Sequence, residues 1–144
     1  MATIRDLLAR KGSRVISIRP DATVLEAALL MNESGIGGLV VLDGGTLAGV
    51  VTERDMMRRV IAQRRDPAAT EVRAVMTSPV VTCAPGTTVE EAAAVMTNRR
   101  IRHLPVQEGG RLVGLITIGD LLAFQVAEQQ ATIQYMSSYI FDTR

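Results

Sequence analysis

The sequence predicts an α+β protein made of two βαββα units packed pseudo-symmetrically sheet to sheet, with a short helix before them and a long helix after. Three observations predict this. The segment from Val15 to Met57 recurs from Val80 to Leu122 at a shift of 65 residues without a gap, and about 17 of roughly 43 aligned positions are identical. Each copy holds an acid-Gly-Gly triplet between apolar runs, Asp43-Gly44-Gly45 and Glu108-Gly109-Gly110, a hairpin signal because the turn needs residues that tolerate positive φ. Each copy also has a Thr-x-x-Glu box, Thr23 with Glu26 and Thr88 with Glu91, heading an Ala-rich stretch of helical character.

In chain order, residues 1–12 form an N-terminal helix, Thr3 to Lys11, closed by Gly12. Residues 13–65 are the first repeat. Its opening strand, Val15 to Ile18, stops at Pro20; a capped helix carries Ala27, Ala28 and Met31 on one face; a hairpin follows, and its second strand, Leu47 to Thr52, leads into a helix near Asp55. Residues 66–77 link the copies, with a short helical turn between Glu71 and Met76. Residues 78–125 repeat the pattern, with a strand from Val80 to Cys83 ending at Pro85, a helix carrying Ala92, Ala93 and Met96, and a second strand, Leu112 to Thr117, leading into a helix near Asp120. Residues 126–144 are a helical tail with Tyr135, Tyr139 and Phe141, positioned to cross to a partner subunit.

Composition narrows the class. A chain of 144 residues, 47% hydrophobic, buries a sizeable core without disulfides or metals, and 22% charged residues exclude global disorder. The net charge of +1, from 16 basic and 15 acidic side chains, supplies no field that implies nucleic acid or membrane. A single cysteine cannot make an internal disulfide and the first residues lack a secretory pattern, so a cytoplasmic protein is expected; no run is apolar enough to span a membrane. Aromatics are only 3%, so the core is expected to be aliphatic and closely packed.

The duplicated segment richest in chemistry is Gly49-Val-Val-Thr52-Glu-Arg54-Asp55 and its twin Gly114-Leu-Ile-Thr117-Ile-Gly-Asp120. A hydroxyl and a carboxylate three residues apart at a strand-to-helix junction suit the vicinal diol of a ribose, the carboxylate accepting both hydroxyl protons. The same spacing is also a helix cap, and spacing alone favours the cap. A second cluster, Arg99, Arg100, Arg102 and His103, occupies only the second copy, where the first has Ser34, Gly35, Gly37 and Gly38. Arginine donors there suit phosphate; a solvated basic patch is the plainer reading. Cys83 reads as a buried small side chain. No metal-ligand spacing, P-loop or Gly-x-Ser-x-Gly motif occurs, and nothing in the sequence reads as catalytic.

The tandem units, the GVVTERD and GLITIGD segments, VMTSPVVTCAPGTTVEEA and RIRHLPV together resemble a pair of cystathionine β-synthase (CBS) domains, or Bateman module, over about residues 12 to 125. The resemblance implies two clefts between the repeats that take adenosine-containing ligands of the AMP, ATP or NAD type, with no catalytic cofactor and no metal. It implies ribose acids at Asp55 and Asp120 beside Thr52 and Thr117, which reverses the preference for a cap. It sets Asp55 opposite Val80, Val81, Ile101, Arg102, His103 and Pro105, and Asp120 opposite Val15, Ile16, Gly37, Gly38 and Leu39. Arg54, Arg102 and His103 would serve phosphates beside Asp55, whereas the Asp120 side has Gly119, Gly37 and Gly38.

The expected function is a non-catalytic sensor that binds an adenine nucleotide and signals through a conformational or dimer change to an unidentified target protein. A homodimer through helical faces is expected, with Ala27, Ala28, Ala92 and Ala93 serving that contact or the internal core. The alternative is a ligand-independent dimeric scaffold whose Thr-x-x-Asp corners are only caps.

Overall fold

A computed structural model describes residues 1–142, so Thr143 and Arg144 of the expected tail lie outside the described residues. In the first repeat β1 (Ser17–Ile18) pairs parallel with β2 (Gly38–Asp43), which pairs antiparallel with β3 (Thr46–Thr52). In the second, β4 (His103–Glu108) pairs antiparallel with β5 (Arg111–Thr117). The 65-residue shift holds down to irregularities. Register slips between Val41 and Leu42 and again between Val106 and Gln107, and the turn glycines 44, 45, 109 and 110 all have positive φ.

One expected strand is nearly lost. Of Val80 to Cys83 only Cys83 pairs, its N–H donating to the Pro105 carbonyl at 3.0 Å and its carbonyl accepting from Gln107 N at 2.9 Å. The segment is confined between Pro79 and Pro85, which have no N–H to donate. The equivalent β1 is likewise only two residues long.

The helices start where their boxes lie. α1 (Ile4–Lys11), ahead of the first repeat, is headed by a Thr3–Asp6 box, and α2 (Val24–Ser34) by Thr23–Glu26. At α4 (Val89–Arg99) the Thr88 hydroxyl accepts from Glu91 N and donates to the Glu91 carboxylate, so only half of the box forms. α3 (Glu53–Met56) continues into a π-helical turn, Met57–Ile61, while α5 runs from Ile118 to Asp142. α2 ends on Gly35 in the left-handed conformation, and α4 ends in the same way on Arg100, the residue 65 positions later.

Each repeat encloses its own aliphatic core, and each core is completed by the segment that precedes the other repeat. Ile4 and Leu7 of α1 are buried with Val89, Ala92, Met96, Leu104 and Ile116 of the second repeat. Val72 and Val75 from between the repeats are buried with Val24, Ala27, Leu39 and Val51 of the first. The backbone bonds match. Val89 N donates to Ala2 O at 3.0 Å as Val24 N does to Thr70 O at 2.8 Å; Ile4 N donates to Thr87 O as Val72 N does to Ala22 O, both at 2.8 Å. The N-terminal helix and the linking turn are thus equivalent parts of the two cores. Ala27 and Ala92 are wholly buried in them, which places these two alanines in the internal core.

Candidate functional site

β3 and β5 each deliver a threonine to the mouth of a cavity between the repeats, and the next turn of helix brings an aspartate back to it. At the first corner Thr52 N and Oγ1 both donate to Asp55 Oδ2, at 3.0 and 3.2 Å, while Asp55 N donates to Thr52 Oγ1. At the second, Thr117 N donates to Asp120 Oδ2 at 2.8 Å and Asp120 N to Thr117 Oγ1 at 3.1 Å. Both corners are therefore helix caps as well as cavity walls, and a carboxylate fixed by its own cap presents oxygens in a set orientation.

The two acids differ in what else they hold. Asp55 is 6% exposed, and its Oδ1 accepts the Thr77 hydroxyl at 3.0 Å. Thr77 is secured against β3 by paired backbone bonds with Val50. Asp120 has a 24% exposed side chain and is ion-paired at 2.5 Å with Lys11, the last residue of α1, whose ammonium also donates to the Leu115 carbonyl.

The cavity is continuous between the corners and has a volume of about 860 Å³. Thr52, Arg54, Asp55, Val80, Val81, Ile101, Arg102, His103, Thr117, Asp120, Val15, Ile16, Gly37 and Gly38 all line it. Leu39 and Pro105 do not. Leu39 follows Gly38 in β2, so strand alternation turns it into the first core, where it is fully buried. Pro105 is buried within β4, its carbonyl engaged by Cys83.

The lining is strongly basic. Lys11, Arg14, Arg54, Arg58, Arg59, Arg99, Arg100 and Arg102 face three acids, Glu53, Asp55 and Asp120, a surplus of five on a chain whose net charge is +1. Arg59 donates to the carbonyls of Val75 and Met76, and Arg54 to that of Arg100, so these two tie the structure together. Among the described residues the side chains of Arg14, Arg58, Arg99, Arg100 and Arg102 make no hydrogen bond or ion pair. Unneutralised guanidinium groups around one hollow suit a phosphorylated ligand.

Sequence reasoning missed Lys11, Arg14 and Thr77. They reach the cavity from α1, from the loop after it and from the inter-repeat segment, outside the duplicated motifs. The Asp120 side, expected to offer glycines where the Asp55 side has Arg102 and His103, carries the Lys11 ammonium as well. His103 is mostly buried at the centre of the cavity wall, and burial, then Arg102, lowers its pKa below the ordinary imidazole value. Cys83 packs against the second core, and burial pushes its thiol up to about 11, which suits a structural side chain and not a nucleophile.

No helix among the described residues is long and apolar enough to cross a membrane. Residues 4–62 and 72–127 each match the CBS domain family, a division that joins α1 and the inter-repeat turn to the repeats they precede. The chain is 42% identical to a solved protein of Burkholderia ambifaria MC40-6 described as a signal-transduction protein with CBS domains, with a TM-score of 0.85 over 89% of this chain and 96% of that one. It is 34% identical over 131 residues to the CBS domain-containing protein YhcV of Bacillus subtilis, covering 91% of each. It is 35% identical to a mitochondrial CBS domain-containing protein of Arabidopsis thaliana, covering 96% of this chain and 71% of that one. Inosine-5'-monophosphate dehydrogenase of Korarchaeum cryptofilum is 38% identical over 108 residues, but these make up only 21% of that enzyme. With one match on each repeat, the chain belongs to the CBS domain family, as a tandem pair of CBS domains.

Proposed function

We propose that the protein is a non-catalytic regulatory module that binds an adenosine-containing nucleotide, of the AMP, ATP or NAD type, in the cavity between its repeats. The observation that carries this reading is the pairing of two duplicated Thr-x-x-Asp corners with five unneutralised guanidinium groups around one hollow. Carboxylates suit ribose hydroxyls and arginines suit phosphates, so the two halves of a nucleotide have matching partners. The ligand reports a concentration by binding two states of the module unequally. Calorimetry with AMP, ATP and NAD tests the reading: binding that Asp55→Ala or Asp120→Ala weakens supports it, and no binding by any of the three overturns it.

The second reading is a ligand-independent dimeric scaffold, and the capping hydrogen bonds within both Thr-x-x-Asp corners favour it, because they occupy these groups without a ligand. Leu122 and Val126 of α5 are at least half exposed, as are Met57 and Ile61, 65 residues earlier in the first repeat. Two equivalent apolar patches on helices suit a homodimer, which we include in both readings together with an unidentified target protein and a cytoplasmic setting. Thermal melts separate the two. A nucleotide at 100 times its dissociation constant adds about 2.7 kcal/mol to stability, whereas the midpoint of a pure scaffold does not move.

A further inference from the structure

Asp55 and Asp120 are equivalent in the repeat, yet a neutral hydroxyl from Thr77 holds the first and a cation from Lys11 the second. Lys11 and the Thr117 N–H both donate to Asp120 Oδ2. A vicinal diol that uses both oxygens of this carboxylate must displace the ammonium. The displaced ammonium stays tethered beside the cavity, because α1 is anchored by the Arg10–Glu128 ion pair at 2.6 Å and by Arg10 lying 4.8 Å from the centre of the Phe124 ring. It would be left among Arg14, Arg102 and His103 without its counter-ion.

We infer that Lys11 is the specificity-determining residue of the Asp120 cleft. It engages the acid in the free protein, and a ribose displaces it more readily when the same ligand brings an anion to receive the ammonium. The cleft therefore favours phosphorylated nucleosides over the uncharged nucleoside, which offers Lys11 nothing in exchange for Asp120. Counting forward from the paired residues Ile4 and Val72, the position matching Lys11 in the other segment is Pro79, so the first cleft lacks this filter.

The inference rests on the nucleotide reading above, and calorimetry with adenosine and AMP on the full chain and its Lys11→Met variant tests it. The substitution keeps a long, helix-favouring side chain at an exposed position. With the ammonium gone, adenosine should bind about fivefold more tightly, as expected for the loss of one partly exposed ion pair, while AMP weakens several-fold. The rise for adenosine is the decisive sign, because a lysine that merely contacts phosphate would leave adenosine unchanged. An AMP-to-adenosine affinity ratio that is the same in both proteins overturns the role of Lys11 and leaves the nucleotide reading standing. Absence of AMP binding to either protein overturns the role of Lys11, and the nucleotide reading falls with it only if ATP and NAD also fail to bind.

Discussion

The imidazole of His103 occupies the space that a side chain at position 38 would need: a Cβ built on Gly38 lies 2.8 Å from Nε2. The two positions are 65 residues apart and equivalent in the repeat, each opening the first strand of its hairpin, β4 and β2. The pseudo-symmetric interface thus accommodates one ring, supplied by the second repeat against a glycine of the first. That single substitution makes the cavity asymmetric at its centre.

Gly38→Ala should destabilise the protein by about 1–3 kcal/mol, the usual cost of overpacking, because the ring must move away from a buried position. In a His103→Ala background the cost should largely vanish. Urea unfolding of the two single variants and the double variant measures the coupling, and additive effects would show that the two positions do not share this space.

The depressed pKa of His103 gives stability a pH dependence of definite sign. Burial is the main cause and Arg102 adds to it, with Glu53 and Asp120 opposing. The unfolded chain takes up a proton near the ordinary value of about 6.5, whereas the folded protein does so only at lower pH. The His103 contribution is therefore fully present above about pH 6.5 and is lost as pH falls toward the folded value. Thermal midpoints between neutral and mildly acidic buffer should fall more steeply for the wild type than for His103→Gln.

Leu7 lies in α1 but is buried in the core of the second repeat. Leu7→Ala should cost about 2–5 kcal/mol, as for other buried leucines, and should speed hydrogen exchange in β4 and β5 more than in β2 and β3. Equal acceleration in both sheets would contradict the separation of the two cores.

The repeated elements are legible in the sequence because their residues obey one shift. Hairpin glycines, Thr-x-x-acid boxes and apolar runs all recur at 65 residues, and each has a local physical reason to form its element. The exchange of segments between cores is not legible, because residues 2–8 and 70–76 share only the arginines Arg5 and Arg73 and contact distant parts of the chain. For the same reason Lys11 and Thr77 escaped a search confined to the repeat. Leu39 and Pro105 were misplaced because proximity in sequence to a cavity residue does not settle which face of a strand, or which depth, a side chain occupies.

Arg100 has φ 53° where its counterpart Gly35 has φ 65°. The left-handed region is unfavourable for a residue with a Cβ, so Arg100→Gly should stabilise the fold by about 1 kcal/mol. The same change removes a cavity guanidinium and should weaken ATP binding. Chemical denaturation paired with calorimetry checks both signs, and a gain in stability without loss of affinity would remove Arg100 from the ligand's partners.

The central claim is that a nucleotide occupies the cavity between the repeats, and the chain's single histidine stands in the wall of that cavity. NMR of the His103 ring during titration with AMP, ATP and NAD therefore reports on the site directly. The account predicts that at least one of them shifts the ring resonances saturably and changes the pH at which the ring titrates. Ring resonances that stay unmoved by all three at millimolar concentration would contradict it.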